Sequence, residues 1–264
     1  MKKTPSQVAL AVALVSLFSI SVPLFAADTD DRIESSIQKS YVFKTYLKGD
    51  DINVKSKDGV VTLTGTVSEE SHKSLAGETS ASVPGTKSLN NNLKIKGETP
   101  VANSDAWLIT KVKTTLLFHR NVKATATEVL AKDGAVTLRG KADNAAQKEL
   151  TTEYASDVEG VKTVKNEMTV PTTEMKPESK AVAGKVDATS EVIDDVSVTS
   201  LVKMTLLSHR STSAIKTTVE TKDGVVNLGG TAKNAAEKSL ATKLVADVEG
   251  VQKVVNNMTV VENK

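Results

Sequence analysis

The three histidines, His72, His119 and His209, are the side chains best suited to acid–base or metal chemistry. They are far apart in the chain and form no His-Glu-x-x-His motif, so a shared metal site would need three separate segments to converge. His119 and His209 each precede an arginine after an apolar helical segment. We interpret them as helix C-terminal groups that complement the helix dipole and bond the last carbonyls. The sequence contains no cysteine, which excludes thiolate nucleophiles, disulfides and cysteine-ligated zinc.

Motifs for nucleophilic catalysis and phosphate binding are also missing. No Gly-x-Ser-x-Gly nucleophile elbow occurs. Gly85-Thr86-Lys87-Ser88 resembles the end of a phosphate-binding loop, but Ser80 stands where the upstream glycine is needed. The carboxylates show no surrounding apolar pattern that would raise a pKa. We therefore predict a protein that is not an enzyme, with no catalytic residues, cofactor, metal or small-molecule substrate.

The composition is that of a globular protein: 264 residues, 39% hydrophobic and 25% charged. The formal net charge is +2, from 34 basic and 32 acidic residues. Lys2 and Lys3 belong to a segment that we expect to be removed, which leaves 34 − 2 = 32 basic residues against 32 acidic ones. A neutral chain lacks the net positive charge that favours bulk association with polyanions, so we predict no nucleic-acid partner.

The first 26 residues resemble a secretory signal peptide. Two lysines precede an apolar stretch from Val8 to Val22, and Ala26-Ala27 offers a cleavage site after either alanine. The alternative, a retained membrane anchor, is less favoured because the apolar stretch is shorter than the roughly 20 residues that a spanning helix needs. We predict a periplasmic protein whose contact with membranes is peripheral only.

A threefold repeat organises the remaining chain. Asp58-Gly59 recurs as Asp133-Gly134 and Asp223-Gly224, at lags of 75 and 90 residues. We place the repeats at residues 28–97, 101–171 and 192–262, with a flexible linker at 172–191. The short connection between repeats 1 and 2 predicts that these two lie close together. Three more landmarks keep the same lags: Gly65, Gly140 and Gly230; Gly85, Gly160 and Gly250; Asn91, Asn166 and Asn256.

Each repeat has the pattern of an α+β module with the order α-β-β-α-β. Two strands joined by Asp-Gly are the strongest short signal for a β-hairpin. A second helix and a closing strand follow, so we predict two helices on one face of a three-stranded mixed sheet. The repeated glycines Gly65, Gly140 and Gly230 follow the aliphatic residues of the second strand. We expect them to be structural, either to let the second helix approach the sheet, which we favour, or to bend the strand.

The assembled pattern resembles the BON-domain family. The motif Asp-Gly-Val-Val-Thr-Leu-Thr-Gly at 58–65 recurs in similar form at 133–140 and 223–230, each followed by a helix and a closing strand. Repeat 1 departs from the pattern, with Pro84-Gly85-Thr86 in place of Glu-Gly-Val, so its closing strand is expected to pair less regularly. The resemblance implies an α-β-β-α-β fold, no catalysis, and binding to phospholipid or other envelope components, linked to osmotic or envelope stress.

One helix face of repeat 2 is a candidate binding surface. At about 100° per residue, Trp107, Lys111 and Phe118 lie opposite the apolar stripe of Leu108 and Val112. An amphipathic ring beside a lysine suits the boundary between water and anionic phospholipid. The resemblance supports this, since an aromatic-bearing first helix contacts membranes in some BON proteins. Two alternatives stay open: the face packs against a neighbouring repeat, especially repeat 1, or it carries an ordinary exposed ring.

The sequence thus favours a non-enzymatic periplasmic protein of envelope or osmotic stress that contacts anionic phospholipid through its repeats. The alternative function is a protein-binding or chaperone-like adaptor for envelope proteins, with the repeats as tethered modules.

Overall fold

The computed structural model describes residues 24–97, 100–171, 193–212 and 217–261. The sequence-predicted linker, 172–191, lies wholly outside these ranges, and the sequence-predicted signal peptide lies outside them except for its last residues. Within the described ranges, no helix combines the length and the apolar character needed to cross a bilayer.

Each repeat contains the order α-β-β-α-β, with short additional elements that differ between repeats. Repeat 1 contains α1 (Leu24–Lys39), α2 (Tyr41–Thr45), β1 (Asp51–Lys57), β2 (Val60–Val67), α3 (Glu70–Ser82), β3 (Ser88–Asn91) and β4 (Lys94–Ile95). Repeat 2 contains α4 (Asp105–Leu117), a 3-10 turn (Ala124–Ala126), β5 (Thr127–Lys132), β6 (Ala135–Gly140), α5 (Ala145–Ser156) and β7 (Thr163–Asn166). Repeat 3 contains α6 (Asp195–Ser208), β8 (Thr217–Lys222), β9 (Val225–Ala232), α7 (Ala235–Ala246), β10 (Lys253–Asn256) and β11 (Thr259–Val260).

The sheets are mixed, as the α-β-β-α-β order predicts. In repeat 2, β5 pairs antiparallel with β6, which in turn pairs parallel with β7. The second strand is therefore central, with Leu138 opposite Val129 on one side and Asn166 on the other. Repeats 1 and 3 have the same arrangement and each adds a short parallel strand to the central one. The sequence-predicted fold is confirmed.

The closing strand of repeat 1 pairs as fully as its counterparts. Four residues of β3 pair with β2, from Ser88 opposite Val60 to Asn91 opposite Leu63. Four residues of β7 and four of β10 pair in the same way with their central strands. The expectation of less regular pairing in repeat 1 is wrong, because the Pro84-Gly85-Thr86 departure falls in the preceding turn.

The Asp-Gly hairpins have the backbone conformation that the sequence predicts. Asp133 has φ of 52° and Gly134 has φ of 87°, so both central residues of the turn are left-handed, as a primed turn requires. A carboxylate at the start of the first helix then fixes the turn: Asp105 Oδ1 accepts a hydrogen bond from the Asp133 backbone N–H at 2.9 Å. Asp30 and Asp195 accept equivalent bonds from the turns of repeats 1 and 3.

The repeated glycines at the end of the central strand are required by the backbone. Gly65 and Gly140 have φ of 118° and 132°. A Cβ on Gly140 would lie 2.1 Å from the carbonyl oxygen of Ala126, and one on Gly65 would lie 2.0 Å from that of Asp51. These carbonyl oxygens lie at the start of the first strand of each hairpin and not on the second helix. The favoured expectation of helix–sheet packing is therefore wrong for these two residues, because the positive φ and the adjacent carbonyl are what exclude a side chain. Gly230, with φ of 96°, shares the left-handed backbone.

A repeated asparagine joins each closing strand to the second helix. Asn166 Nδ2 donates to the Lys148 carbonyl at 2.8 Å, in the first turn of α5, and its Oδ1 accepts from the Met168 backbone N–H at 2.9 Å. Asn91 and Asn256 make the same two kinds of bond. This explains why asparagine recurs at that position.

Candidate functional site

The indole of Trp107 lies half-buried on α4. The helix starts at a capping serine, Ser104, whose Oγ accepts from the Trp107 backbone N–H at 3.2 Å. The indole packs beside the core of repeat 2, and a Cβ on Gly160 would lie 3.4 Å from its Cζ3 atom. Leu108 and Val112 are buried, which confirms the apolar stripe that the helical spacing predicts. Trp107 therefore lies at the edge of that core with part of its ring exposed.

A lysine covers the exposed ring. Lys111 Nζ lies 4.4 Å from the Trp107 ring centroid, a cation–π geometry. The same Nζ lies 3.5 Å from Glu159 Oε2, so this charge is partly balanced. Trp107 also lines an open cleft of about 630 Å³ between the start of α4 and the hairpin turn, with Lys162 and Asp133 among its other lining residues. The surface combines aromatic area with charges of both signs.

Phe118 does not share this exposed surface. It is 1% exposed and lies in the apolar cluster of repeats 1 and 3, with its ring centroid 5.8 Å from that of Tyr46 in repeat 1. The helical spacing is right that Phe118 points away from its own module, but the prediction that it faces solvent or lipid is wrong. Burying a phenyl ring against two other repeats is favourable because it removes a large apolar area from water. Packing against neighbouring repeats, the alternative left open, describes Phe118.

Repeat 3 packs against both other repeats. Helix α6 contacts α3 of repeat 1 on one side and α4 of repeat 2 on another. Repeats 1 and 2 meet where Tyr46 contacts Phe118, so the expectation that they lie close together holds there, but each packs more extensively on repeat 3. Tyr46 donates to Glu249 of repeat 3 at 2.8 Å. Burial, reinforced by that carboxylate, raises the pKa of Tyr46 and keeps it a donor.

The contact between repeats 2 and 3, called here the joint, is nearly symmetric. The Arg120 backbone N–H donates to the Asp247 carbonyl at 2.9 Å, and the Arg210 backbone N–H donates to the Asp157 carbonyl at the same distance. His119 likewise forms an isolated antiparallel bridge to Val248, and His209 forms one to Val158. All these pairs are related by the 90-residue lag, so equivalent segments of the two repeats pair across an approximate twofold axis.

The two histidines meet at the centre of the joint. His119 Nε2 lies 3.0 Å from His209 Nε2, and the residues are 2% and 1% exposed. His209 Nδ1 lies 3.0 Å from Asp157 Oδ2, within hydrogen-bond geometry. His119 Nδ1 lies 3.2 Å from Asp247 Oδ2, but out of line for a good hydrogen bond. Tyr154 stacks on His119 with centroids 3.8 Å apart.

This convergence corrects the sequence interpretation of both histidines. Their side chains contact each other and two aspartates, and do not bond the last carbonyls of their own helices. Arg120 makes such bonds instead, but to carbonyls of repeat 3, including that of Ala246 at the end of α7. The sequence does show that the pair His-Arg recurs at the 90-residue lag, as His119-Arg120 and His209-Arg210. Spacing within one repeat, however, gives no information on contacts between repeats.

Metal chemistry gains no support from these groups. Among the residues that the structure describes, no cluster of three or more His, Asp or Glu side chains is arranged to hold a metal ion. The joint supplies two imidazoles, with a carboxylate on the far side of each.

Comparisons with known proteins agree with this architecture. The family model for the BON domain matches the chain three times, at residues 29–97, 104–172 and 194–262. The chain belongs to the BON-domain family and carries three copies of its domain. The resemblance to the BON-domain family that the sequence motifs indicate is thereby confirmed.

Individual relatives are bacterial proteins. The chain is similar to Osmotically-inducible protein Y of Escherichia coli (strain K12), with 32% identity over 58% of this chain and 71% of that protein. It is also similar to Outer membrane lipoprotein DolP of Haemophilus influenzae, with 29% identity over 50% of this chain and 68% of the relative. A third relative is the 21 kDa hemolysin of Actinobacillus pleuropneumoniae, with 29% identity over 51% of this chain and 69% of the relative.

Proposed function

We propose that this BON protein acts in the periplasm in osmotic or envelope stress and contacts anionic phospholipid through the Trp107 side of repeat 2. The stress role and the compartment are supported by the names of its relatives, an osmotically inducible protein and an outer membrane lipoprotein. The lipid contact is supported by one observation above the others: a partly exposed indole with a lysine ammonium 4.4 Å from its ring centroid. An indole and an ammonium together suit the headgroup region of a bilayer.

The packing of the repeats favours repeat 2 as the contacting module. In repeat 3, the residues equivalent to Trp107 and Lys111 are Ser197 and Leu201, and both are fully buried. In repeat 1, the equivalents are the polar Arg32 and Ser36. The start of α4 is thus the copy of this helix that offers an aromatic ring to an external surface.

The contact is expected to be weak. Phe118 is buried between repeats and adds nothing to it, and the Lys111 charge is shared with Glu159. Since a single ring and one or two lysines are available, the binding should be reversible and sensitive to salt.

Tryptophan fluorescence tests the proposal directly, because Trp107 is the single tryptophan of the chain. We expect a blue shift of its emission, and co-sedimentation of the protein, with vesicles of phosphatidylglycerol and phosphatidylcholine but not with phosphatidylcholine alone. Lys111→Glu should abolish both effects. The matched control is Lys113→Glu, which makes the same charge change at an exposed position on the same helix.

Two results would contradict the lipid contact. One is the absence of both a shift and co-sedimentation for the unmodified chain. The other is an equal loss in the Lys111 and Lys113 variants, which would indicate a general charge effect. The first result would favour the alternative, an adaptor that binds envelope proteins. The second would contradict the assignment of the contact to Lys111.

A further inference from the structure

The buried histidine pair has no role in the proposed lipid contact. His119 and His209 are almost completely enclosed where repeats 2 and 3 meet, with their Nε2 atoms 3.0 Å apart. An imidazole changes charge near neutral pH, so an interface built on two of them is a place where proton concentration can act.

Counting ring protons shows how many positive charges the closed joint accepts. The short Nε2–Nε2 contact is favourable with one proton between the two nitrogens, donated by one ring and accepted by the other. Two imidazolium rings would instead direct two N–H groups at each other across 3.0 Å, in an environment with little water to screen them. The closed joint therefore accepts one imidazolium at most.

We propose that the joint is acid-sensitive: it closes around no more than one protonated histidine, and protonation of the second histidine separates repeats 2 and 3. In the open arrangement both rings reach water, where an unperturbed imidazole has a pKa of about 6.5. The open state then binds more protons than the closed state below that pH. Linkage requires that acidification favour opening.

The two carboxylates near the pair favour a protonated ring and so act against this direction, but each carboxylate also has other partners. The carboxylates that face the pair are Asp157, beyond α5, and Asp247, beyond α7. Asp157 also lies 3.6 Å from the Arg210 guanidinium, so its negative charge is partly balanced by that arginine and stabilises an imidazolium less. Asp247 Oδ2 accepts from the Tyr154 hydroxyl at 2.7 Å, and Asn121 donates to its other oxygen. Other charged side chains on the segments that pair at the joint include Arg120, which donates to a carbonyl of repeat 3, and Glu249, whose carboxylate accepts from tyrosines of repeat 1.

Burial lowers the pKa of His119, and the nearby positive charge of His209 adds to that effect, while Asp247 opposes it. A base with a lowered pKa in the closed state contributes stability that is complete above its free pKa and is lost as the pH falls. The relevant window lies below about pH 6.5. Asp157 does not account for a change there, because hydrogen bonds from His209 and Ser211 lower the pKa of its carboxyl against the opposing effect of burial.

Amide hydrogen exchange on the full chain, followed by NMR from pH 7.5 to 5, measures opening even when the open state is rare. The reporters are the Arg120 and Arg210 amides, which bond across the joint. After correction for intrinsic exchange, their protection should fall by up to about tenfold per pH unit below pH 6.5. The Glu167 and Asn257 amides, which bond within repeats 2 and 3, should keep constant protection.

Glutamine variants assign the effect to its residues. His119→Gln with His209→Gln should remove the pH dependence of the reporter amides while leaving a polar contact. The matched control is His72→Gln, which removes the third histidine, bonded to Asp50 in repeat 1, and should preserve the pH dependence. Constant reporter protection in the unmodified chain would overturn the proposal, as would an unchanged slope in the double variant.

A second measurement does not depend on how the variants fold. The C–H resonances of the imidazoles in the unmodified chain should show that the second of the two joint histidines takes up its proton over the same pH range in which reporter protection falls. Protonation of both histidines with full protection retained would also overturn the proposal. Neither outcome bears on lipid binding, so this proposal and the proposed function can fail separately.

Discussion

At the scale of single residues, glycine at position 140 is set by backbone geometry. Its φ of 132° and the carbonyl of Ala126, 2.1 Å from where a Cβ would lie, leave no room for a side chain. Gly140→Ala should therefore destabilise the protein by about 2 to 4 kcal/mol, through strain and forced movement of the neighbouring backbone. The free energy of unfolding in urea measures this. Gly49→Ala is the control, because nothing lies within 4 Å of the added Cβ, and an equal loss in both variants would contradict the explanation.

Phe118 provides a second test, because the sequence-based expectation and the structure give opposite outcomes. On an outward face, truncation of the ring would change stability little. In the structure the ring is 1% exposed and lies between three repeats, so Phe118→Ala should lower the free energy of unfolding by about 3 to 5 kcal/mol. Thermal and urea unfolding check the cost, and Leu207→Ala, at a 52% exposed position at the end of α6, is the control. A Phe118 variant as stable as the control would mean that the ring is not buried in solution.

At the scale of helices and strands, the asparagine of the closing strand stabilises the contact between that strand and the second helix. Asn166 holds the Lys148 carbonyl and the Met168 amide together, and a non-polar replacement leaves both without that partner. Asn166→Ala should cost about 1 to 3 kcal/mol in unfolding free energy. Asn53→Ala, at an exposed position of β1, should cost much less. Equal losses in the two variants would contradict a stabilising role for the hydrogen bonds of Asn166 to α5 and to Met168.

The same scale shows where sequence reasoning succeeds and where it stops. The Asp133-Gly134 hairpin is predictable because its signal is local: two adjacent residues that tolerate positive φ between two apolar strands. The buried stripe of α4 is predictable for the same reason, since helical spacing alone places Leu108 and Val112 together. The surroundings of Phe118 and His119 depend on how separate repeats pack. No periodicity within one repeat contains that information.

At the scale of the whole molecule, the order in space differs from the order in sequence. Repeat 3 packs against both other repeats, and nine residues of its helix α6 are buried by contacts within its own repeat and with α3 and α4. The short connection after repeat 1 limits distance but does not decide which surfaces meet. Apolar area decides that, since the core cluster of repeat 1 continues into repeat 3.

An ion pair between repeats 1 and 3 makes this arrangement testable without disturbing either core. Lys203 Nζ on α6 lies 3.5 Å from Glu78 Oε2 on α3 and donates to Ser82 at 3.2 Å. Both charged side chains are about one-third exposed, so Lys203→Glu should lower the free energy of unfolding by only about 0.5 to 1 kcal/mol. Adding Glu78→Lys restores opposite charges across the interface and should recover most of the loss. Lys243→Glu, at an exposed position on α7, makes the same change in net charge and is the control.

Recovery by the charge swap requires the two helices to face each other, because the effects of two unrelated surface substitutions on the free energy of unfolding would simply add. A double variant that is no more stable than Lys203→Glu alone would therefore contradict the packing of repeat 1 on repeat 3.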